Sequence, residues 1–445
     1  MEERPVASSL RERAAVDKPG RGRDGRADGA TELNHRAGPR VQSVHALAVY
    51  PVTTILKVVG AVVLLLVILF GLAVTIVPRF LDRIYYRGPA SDHFNGERFF
   101  NPDGDEDTAR VPGGGSRAGF LWRQLTRRDG RPPWPARIAV TPSKPPARVE
   151  GERMLVTWIG HATVLVQTNG LNILTDPMWS DTAGPFGLGP RRVAEPGVRF
   201  EDLPPIDLVL VSHNHYDHLD KATLKRLWAR DRPTIVTSLG NDSVIAQTGA
   251  QAVALDWGQQ LDLPGESGRA AATVHVTRNH HWGSRWFTDR NRALWSSFVV
   301  RLPSGGNLFF AGDTGLGDAR WPAEAAALGP VRLALIPIGA FRFVPRQMRS
   351  GSHIGPAEAV RVLDGLRATM ALPIHWGTFR LSYEGHDTPP LMLAQFMRCA
   401  GADPARFAAR GIGVPFEAPA AGEPRPLDLS QLDACARSPA VQALP

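Results

Sequence analysis

His213-Asn214-His215-Tyr216-Asp217-His218 places three imidazoles and a carboxylate within six positions, directly after the apolar run Ile206-Asp207-Leu208-Val209-Leu210-Val211. Imidazole nitrogen and carboxylate oxygen are ligands that suit Zn²⁺ and its neighbours, and a site built from them can keep a coordination position open for water. A polar turn that happens to be rich in histidine is the plain alternative. The pattern His-x-His-x-Asp-His at the end of a buried strand argues against it. A centre holding two ions needs more ligands than one loop supplies, and the sequence offers them at equivalent places. Leu308-Phe309-Phe310-Ala311-Gly312-Asp313 is an apolar run ending in Gly-Asp, and Met370-Ala371-Leu372-Pro373-Ile374-His375 is another ending in His. Thr273-Val274-His275-Val276-Thr277 reads as a strand shortly before His280 and His281. Each candidate thus follows a short apolar segment with the length and composition of a buried strand. Strand ends in an α/β sandwich open onto one edge, where such residues can converge.

This order of ligands resembles the metallo-β-lactamase superfamily. Within it the chain is most similar to the N-acylphosphatidylethanolamine-hydrolysing phospholipase D family and its bacterial relatives. The resemblance rests on Trp158-Ile159-Gly160-His161-Ala162-Thr163, Leu174-Thr175-Asp176-Pro177, the run from Leu203 through Asp220, and His281-Trp282 with Asp289, Asn291 and Leu294-Trp295. It continues through Phe309 to Gly315, Ile336-Pro337-Ile338-Gly339-Ala340 and Ile374-His375-Trp376-Gly377-Thr378-Phe379, so that it spans roughly residues 150–415.

The resemblance implies a four-layer αβ/βα sandwich and two zinc ions per chain. One ion would be held by His213, His215 and His281, the other by Asp217, His218 and His375, with Asp313 bridging. His281 is preferred to His280 because it precedes Trp282. Asp176 and His161 would each orient a ligand from behind, or be ordinary satisfied turn residues. The implied reaction is hydrolysis of a phosphodiester in a phospholipid by a water activated between the ions, with Asp217 and Asp313 as catalytic carboxylates. His353 is a candidate proton donor or phosphate contact, a structural loop histidine being the other reading. Trp282, Phe341 and Phe343, with Trp179, Phe186, Trp286 and Phe287, would line an apolar entrance unless they serve as core. Two stretches depart from the family pattern. Gly355 stands where an acidic residue is usual, and Phe341-Arg342-Phe343-Val344-Pro345 replaces Tyr-Glu-Pro after Gly339-Ala340. Both bear on the substrate more than on the metal. A lactonase or other ester hydrolase of the same fold is therefore the enzymatic alternative. A metal-stabilised membrane scaffold is the non-enzymatic one, disfavoured because structural zinc sites tend to be closed and tetrahedral.

Residues 58–77 are apolar or Gly apart from a single Thr, between Lys57 and Pro78-Arg79. About twenty such residues cross a hydrocarbon core as a helix. The run is too long and too far from Met1 for a cleaved signal, no small-x-small cleavage site follows it, and it lacks the polar face that a core helix would normally show. A single membrane anchor is expected. Arg79, Arg83, Arg87 and Arg98 after the span, against Arg40 and Lys57 before it, favour a cytoplasmic catalytic domain. The basic tail from Arg4 to Arg36 pulls the other way.

With 445 residues and 43 % hydrophobic content, the chain has room for one large domain and appendages. The expected organisation is a disordered tail over 1–57, the span over 58–77, a Pro/Gly-rich linker or wrapping arm over 78–150 with a short helix near Phe120 to Leu125, the hydrolase domain over 151–418 and a tail over 419–445. A net charge of +8 suits anionic partners. The basic residues are scattered without a nucleic-acid-binding module, so membrane lipid is expected and nucleic acid is not. Cys399 and Cys435 are the two cysteines, too few for a disulfide framework or a cysteine zinc site.

Overall fold

The inner and outer sides of Leu208-Val209-Leu210-Val211 are both apolar, and this double-sided pattern builds the molecule. The computed structural model describes residues 49–81, 84–104, 130–265, 271–286, 288–344 and 346–445. The helix expected near Phe120, Phe287 and most of the 1–57 tail lie outside those residues.

One sheet runs in the order β13-β1-β2-β3-β4-β5-β6, where β1 is Met154–Gly160, β2 Thr163–Thr168, β3 Leu171–Thr175, β4 Leu208–Val211, β5 Thr234–Ser238, β6 Val253–Leu255 and β13 Phe416–Glu417. The second runs β12-β11-β10-β9-β8-β7, with β7 Gln260–Leu263, β8 Ala272–Thr277, β9 Ser297–Arg301, β10 Asn307–Phe310, β11 Val331–Pro337 and β12 Met370–Ile374. Strands β3 to β6 are mutually parallel, as are β10 to β12. Their shared direction brings the ends of β3 and β4 together in one sheet, and those of β10 and β12 into line in the other.

Successive side chains of a strand face opposite ways. Leu208, Leu210, Leu308, Phe310, Leu333, Leu335, Leu372 and Ile374 therefore enter one cluster between the sheets. Val209 and Val211 turn outward to Leu224 and Leu227 of α2 (Lys221–Asp231) and Val244 and Ile245 of α3 (Asn241–Ala246). Phe309, Ala334, Ile336 and Ala371 turn outward on the other side, to α4 (Trp321–Ala326), α5 (Pro356–Gly365) and α6 (Thr388–Cys399). The result is the four-layer αβ/βα sandwich expected from the resemblance. Strands covered on both faces must be apolar on both, which is why these segments read as unbroken hydrophobic runs. A residue such as Phe310, fully buried, contributes about 1.5–3 kcal/mol by leaving water.

Two appendages are built onto the sandwich. In residues 84–104, Phe94 and Phe99 are buried against Leu294 and Trp295, with Tyr86 ring contacts at 5.1 and 5.4 Å. Beyond β13, α7 (Leu432–Ala436) and α8 (Pro439–Gln442) send Leu432 and Val441 into the cluster under α6. Cys399 and Cys435 are joined as a disulfide across 36 residues of sequence. A pair of cysteines gave no sign of this, because their meeting depends on the tail folding back over α6. Closing a loop of that length removes unfolded-chain entropy worth about 4 kcal/mol.

The helix α1 runs from Val49 to Leu81, and its stretch Val52–Ala73 has a mean hydropathy of 2.9 with none of it buried. It is by itself long and apolar enough to cross a membrane. It begins earlier than residue 58 because Lys57 interrupts the apolar composition but not the backbone ladder, a straight-chain side chain costing a helix little.

Candidate metal centre

Five segments at the sheet edges deliver the donors, the turn between β1 and β2 carrying His161. The turn after β4 carries His213 to His218, the segment after β8 carries His281, the Gly-Asp turn after β10 carries Asp313, and His375 follows β12 directly. His375 has φ 63°, His161 φ 55° and Asp176 φ 31°, all in the left-handed region that a side chain seldom adopts. Strain held by the surrounding sheets is common where side chains must be aimed.

Among the described residues, two four-residue groups of donor atoms form, overlapped by the three-residue groups Asp176, His213 and His218, and Asp313, His353 and His375. His213, His215, His281 and Asp313 place one ligand atom each within 4.8 Å of one another, and so do His161, Asp217, His218 and His375. In the first group, His215 Nδ1 lies 2.8 Å from His213 Nε2 and 3.4 Å from His281 Nε2. In the second, Asp217 Oδ2 is 3.0, 3.5 and 3.6 Å from the Nε2 atoms of His161, His218 and His375. Asp313 Oδ2 stands between the groups, 3.2 Å from His218 Nε2, 3.1 Å from His375 Nε2 and 3.9 Å from His281 Nε2.

These spacings fit ligands of common ions. Two donors about 2.1 Å from one tetrahedral ion are about 3.4 Å apart. His218 Nε2, His375 Nε2 and Asp313 Oδ1 are buried and make no hydrogen bond of acceptable angle, although oxygen and nitrogen are close by. They point at shared centres more than at each other. Four imidazoles are also turned by a contact at the far nitrogen. Nδ1 of His213 contacts Ser212 Oγ at 2.9 Å and that of His218 contacts Asp176 Oδ2 at 2.6 Å, while those of His281 and His375 face the carbonyl oxygens of Ser352 at 2.8 Å and Gly339 at 3.3 Å. Such partners fix tautomer and ring orientation and leave Nε2 free to ligate. A Cβ at Gly339 would lie 2.2 Å from the His375 carbonyl oxygen, so only glycine allows that approach.

Charge divides the groups. Burial pushes His213 and His281 well below the ordinary imidazole range and His215 down to about 3, so all three are neutral, as ligands must be. Burial opposes charge at His218 and His375 too. There the Asp313 and Asp217 carboxylates outweigh it, raising His218 well above its ordinary value and His375 to about 9. Burial likewise works against ionised Asp217 and Asp313, yet the neighbouring imidazoles hold both well below the usual carboxylate range. Cations at the shared centres would take over this compensation.

The remaining sequence candidates divide. Asp176, fully buried, accepts the Ser212 N–H at 2.7 Å and its hydroxyl at 2.6 Å besides meeting Nδ1 of His218, on the side of that ring away from Asp313. His161 stands within the second group, not behind it. His353 lies 3.8 Å from Asp313 Oδ2, with its Nδ1 buried and unpartnered, and burial pushes it down to about 3. His280 is turned to Asp103 at 2.9 Å, away from the cage. Trp282 packs edge-on against His215 with ring centroids 4.3 Å apart, and Phe343 lies 5.5 Å from His353, both half-buried. Phe341 departs from expectation. Its side chain is fully buried in the cluster under α5 and α6, because this turn points it inward from the end of β11, so it is core and lines no entrance. Phe186 is 85 % exposed and Trp179 packs at the edge of Phe200. In the departing loop, the Ala340 and Arg342 N–H groups donate to Glu384, a buried carboxylate from far along the chain.

The structure adds residues that the motifs do not mark. Asn101 donates its amide to the His281 carbonyl at 2.9 Å and accepts the Trp295 indole N–H at 3.1 Å. Arg285 donates to the Asn214 and Leu219 carbonyls and covers the Tyr216 ring at 4.0 Å, clamping the motif loop from outside. Ser212, adjacent to the motif, was within reach of inspection. Asn101, 180 positions from its partner, carried no local signal.

Residues 171–376 match the domain described as "Beta-lactamase superfamily domain". A Caenorhabditis elegans protein named N-acyl-phosphatidylethanolamine-hydrolyzing phospholipase D 1 is 37 % identical over 51 % of this chain and 64 % of its own length. The Saccharomyces cerevisiae mitochondrial protein named N-acyl-phosphatidylethanolamine-hydrolyzing phospholipase D is 34 % identical over 51 % of this chain and 48 % of its own. An uncharacterized Mycobacterium tuberculosis protein is 34 % identical over 59 % of this chain and 68 % of its own. The chain thus spans about two thirds or less of these relatives. With that extent of identity and the two-sheet sandwich carrying its donors at the strand ends, the chain belongs to the metallo-β-lactamase superfamily.

Proposed function

We propose that this protein is a membrane-anchored, zinc-dependent phosphodiesterase of phospholipase D type, acting on N-acylphosphatidylethanolamine-like lipids. The observation that carries the metal chemistry is the pair of buried donor groups with Asp313 Oδ2 lying between them. Two divalent ions in such a pair supply a nucleophilic water at neutral pH and stabilise the charge that develops on a phosphoryl group. His213, His215, His281 and Asp313 would hold one ion, and Asp217, His218, His375 and Asp313 the other, with His161 beside the second. Similarity to two relatives named for N-acyl-phosphatidylethanolamine hydrolysis favours the lipid phosphodiester.

The chain's own residues then have distinct tasks. Asp217 and Asp313, held ionised by the surrounding imidazoles, offer carboxylate oxygens to the reacting water. His353 is neutral, and its N–H can donate to a phosphoryl oxygen or to the departing alcohol. Trp282 and Phe343 form apolar walls beside His215 and His353, suited to methylene chains. The α1 helix keeps the enzyme at the bilayer where such a substrate resides.

The test is hydrolysis by the zinc-loaded full-length protein of N-acylphosphatidylethanolamine in mixed micelles prepared in ¹⁸O-water. The expected products are an N-acylethanolamine and phosphatidate carrying the label in its phosphate. Label in a released fatty acid instead would replace this reading with an ester hydrolase.

A further inference from the structure

The only two cysteines in the chain are both consumed in one bond, and its position is the observation with most reach. Cys399 is the last residue of α6 and Cys435 lies within α7, with their Cα atoms 6.2 Å apart. Cys435 is 5 % exposed and sits beside Leu432 and Val441 in the cluster that covers the outer face of the second sheet. The bond therefore staples the returning C-terminal tail to the body of the fold.

Packing alone does not call for cysteine at either place. Cys435 is buried and Cys399 half-buried, small apolar residues would fill the same space, and a free thiol at the buried position would be chemically inert. What cysteine adds is a covalent bond, which persists where the compartment is oxidising and is rare where glutathione and thioredoxin keep thiols reduced. No cysteine is left over.

The charge flanking the membrane helix leaves the orientation open. Around the apolar stretch Val52–Ala73, Arg36 and Arg40 lie just before the N-terminal end, Lys57 lies inside the stretch near that end, and Arg79, Arg83 and Arg87 lie just beyond the C-terminal end, two flanking residues against three. The positive-inside rule counts basic residues within about 15–20 positions of the ends, so the near flanks favour the C-terminal side by a single residue. Farther out, Arg4, Arg11, Arg13, Lys18, Arg21, Arg23 and Arg26 are all N-terminal to the span. That tail is a short flank of the kind whose basic charge sets orientation, whereas a long domain translocates largely regardless of its charge.

We propose that the sandwich and its metal centre face the oxidising, extracytoplasmic side of the membrane, with the basic N-terminal tail in the cytoplasm. The proposal rests on reading α1 as a span, as above. It reverses the orientation that the immediate flanking arginines suggest from sequence. Formation of the staple then proceeds by exchange with an oxidised dithiol–disulfide carrier of that compartment. One cysteine thiolate attacks the carrier's disulfide, the second displaces the carrier from the mixed disulfide, and the carrier leaves with two thiols, having taken two electrons and two protons. The substrate is drawn from the outward-facing leaflet, and the head-group alcohol is released on that side.

Two measurements on the full-length protein in cells test this. First, thiols are trapped by acid quenching and treated with a maleimide-linked polymer, with and without prior reduction. A gel shift of two polymers only after reduction is expected, and the same shift without reduction overturns the proposal. Second, reporter thiols are placed singly in the Cys399→Ser/Cys435→Ser background, as Ser9→Cys in the tail or Ala246→Cys on the exposed side of α3. A membrane-impermeant maleimide applied to intact cells should label Ala246→Cys and spare Ser9→Cys, and the reverse pattern overturns the orientation. Carbonate extraction run in parallel separates the failures. Release of the wild-type protein removes the anchor reading, whereas retention with the reversed labelling removes only the orientation.

Discussion

The cage around Asp313 and the strap of residues 84–104 both hold the loops of the metal centre, but by different forces. In the cage, charge and buried donors determine position. Asp176, Asp217 and Asp313 are surrounded by imidazoles whose far nitrogens are turned by acceptors, and little apolar area is involved. In the strap, Phe94 and Phe99 supply buried apolar surface while Asn101 reaches the His281 backbone. A cage of this kind fails abruptly when one charge is lost, because the partners are left buried and uncompensated. A strap held by packing and neutral hydrogen bonds weakens by degrees. The two regions should therefore differ in how sharply function responds to substitution.

The largest effect is expected at the centre of the cage. Asp313→Ala removes the carboxylate that lies between the two donor groups, so on the proposed two-ion reading metal content should fall from about two per chain towards none. Turnover should drop by at least about a thousandfold, equivalent to about 4 kcal/mol of lost transition-state stabilisation. Elemental analysis beside kinetics checks this, and near-complete metal retention would remove Asp313 from its place between the groups.

Asp176→Asn tests the cage one layer out. The amide keeps the shape and loses the charge that turns His218, and metal affinity should weaken about 10–100-fold. Chelator competition measures it. An unchanged affinity would mean that Ser212 and packing alone orient the imidazole.

Asn101→Ala moves to the strap. Two buried partners, the His281 carbonyl and the Trp295 indole N–H, lose a hydrogen bond, and stability should fall by about 1–3 kcal/mol. Metal content at saturating zinc should survive. Loss of metal comparable to that of Asp313→Ala would erase the distinction between the two regions.

The smallest effect concerns pH. Burial acts against charged His93, but Asp256 at 2.7 Å and Asp92 at 2.6 Å outweigh it and raise the imidazole above its ordinary value. A raised folded-state value means that its contribution is fully present below about pH 6.5 and fades as pH climbs through the folded-state value. Asp92 is 87 % exposed, which keeps the gain small. His93→Gln should cost about 2 °C of melting temperature near pH 6 and less near pH 9. An equal cost at both values would assign the contact to packing against Trp257 alone.

The sandwich and the cage were legible in the chain for a common reason. Strands covered on both faces must be apolar throughout, and their ends must carry the donors, so fold and ligands share the same short stretches: Leu208 to His218, Leu308 to Asp313, Met370 to His375. The strap was not legible in this way. Asn101 reaches a partner 180 positions away, and nothing in Phe99-Phe100-Asn101-Pro102 marks that destination. Phe341 misled for a related reason, since an aromatic next to a ligand-bearing loop reads alike whether its turn points it to solvent or to core.

The sequence by itself determined which residues offer imidazole and carboxylate donors, which segments form the sheets, and that one helix is apolar enough to span a bilayer, because each follows from chemistry and periodicity within a few neighbouring residues. The tertiary structure alone decided that His161 joins the second donor group, that Glu384 and Asn101 hold loops from far along the chain, and that Cys399 meets Cys435. Those contacts depend on where the chain returns in space, and the apolar packing that sets those returns is spread across the whole domain.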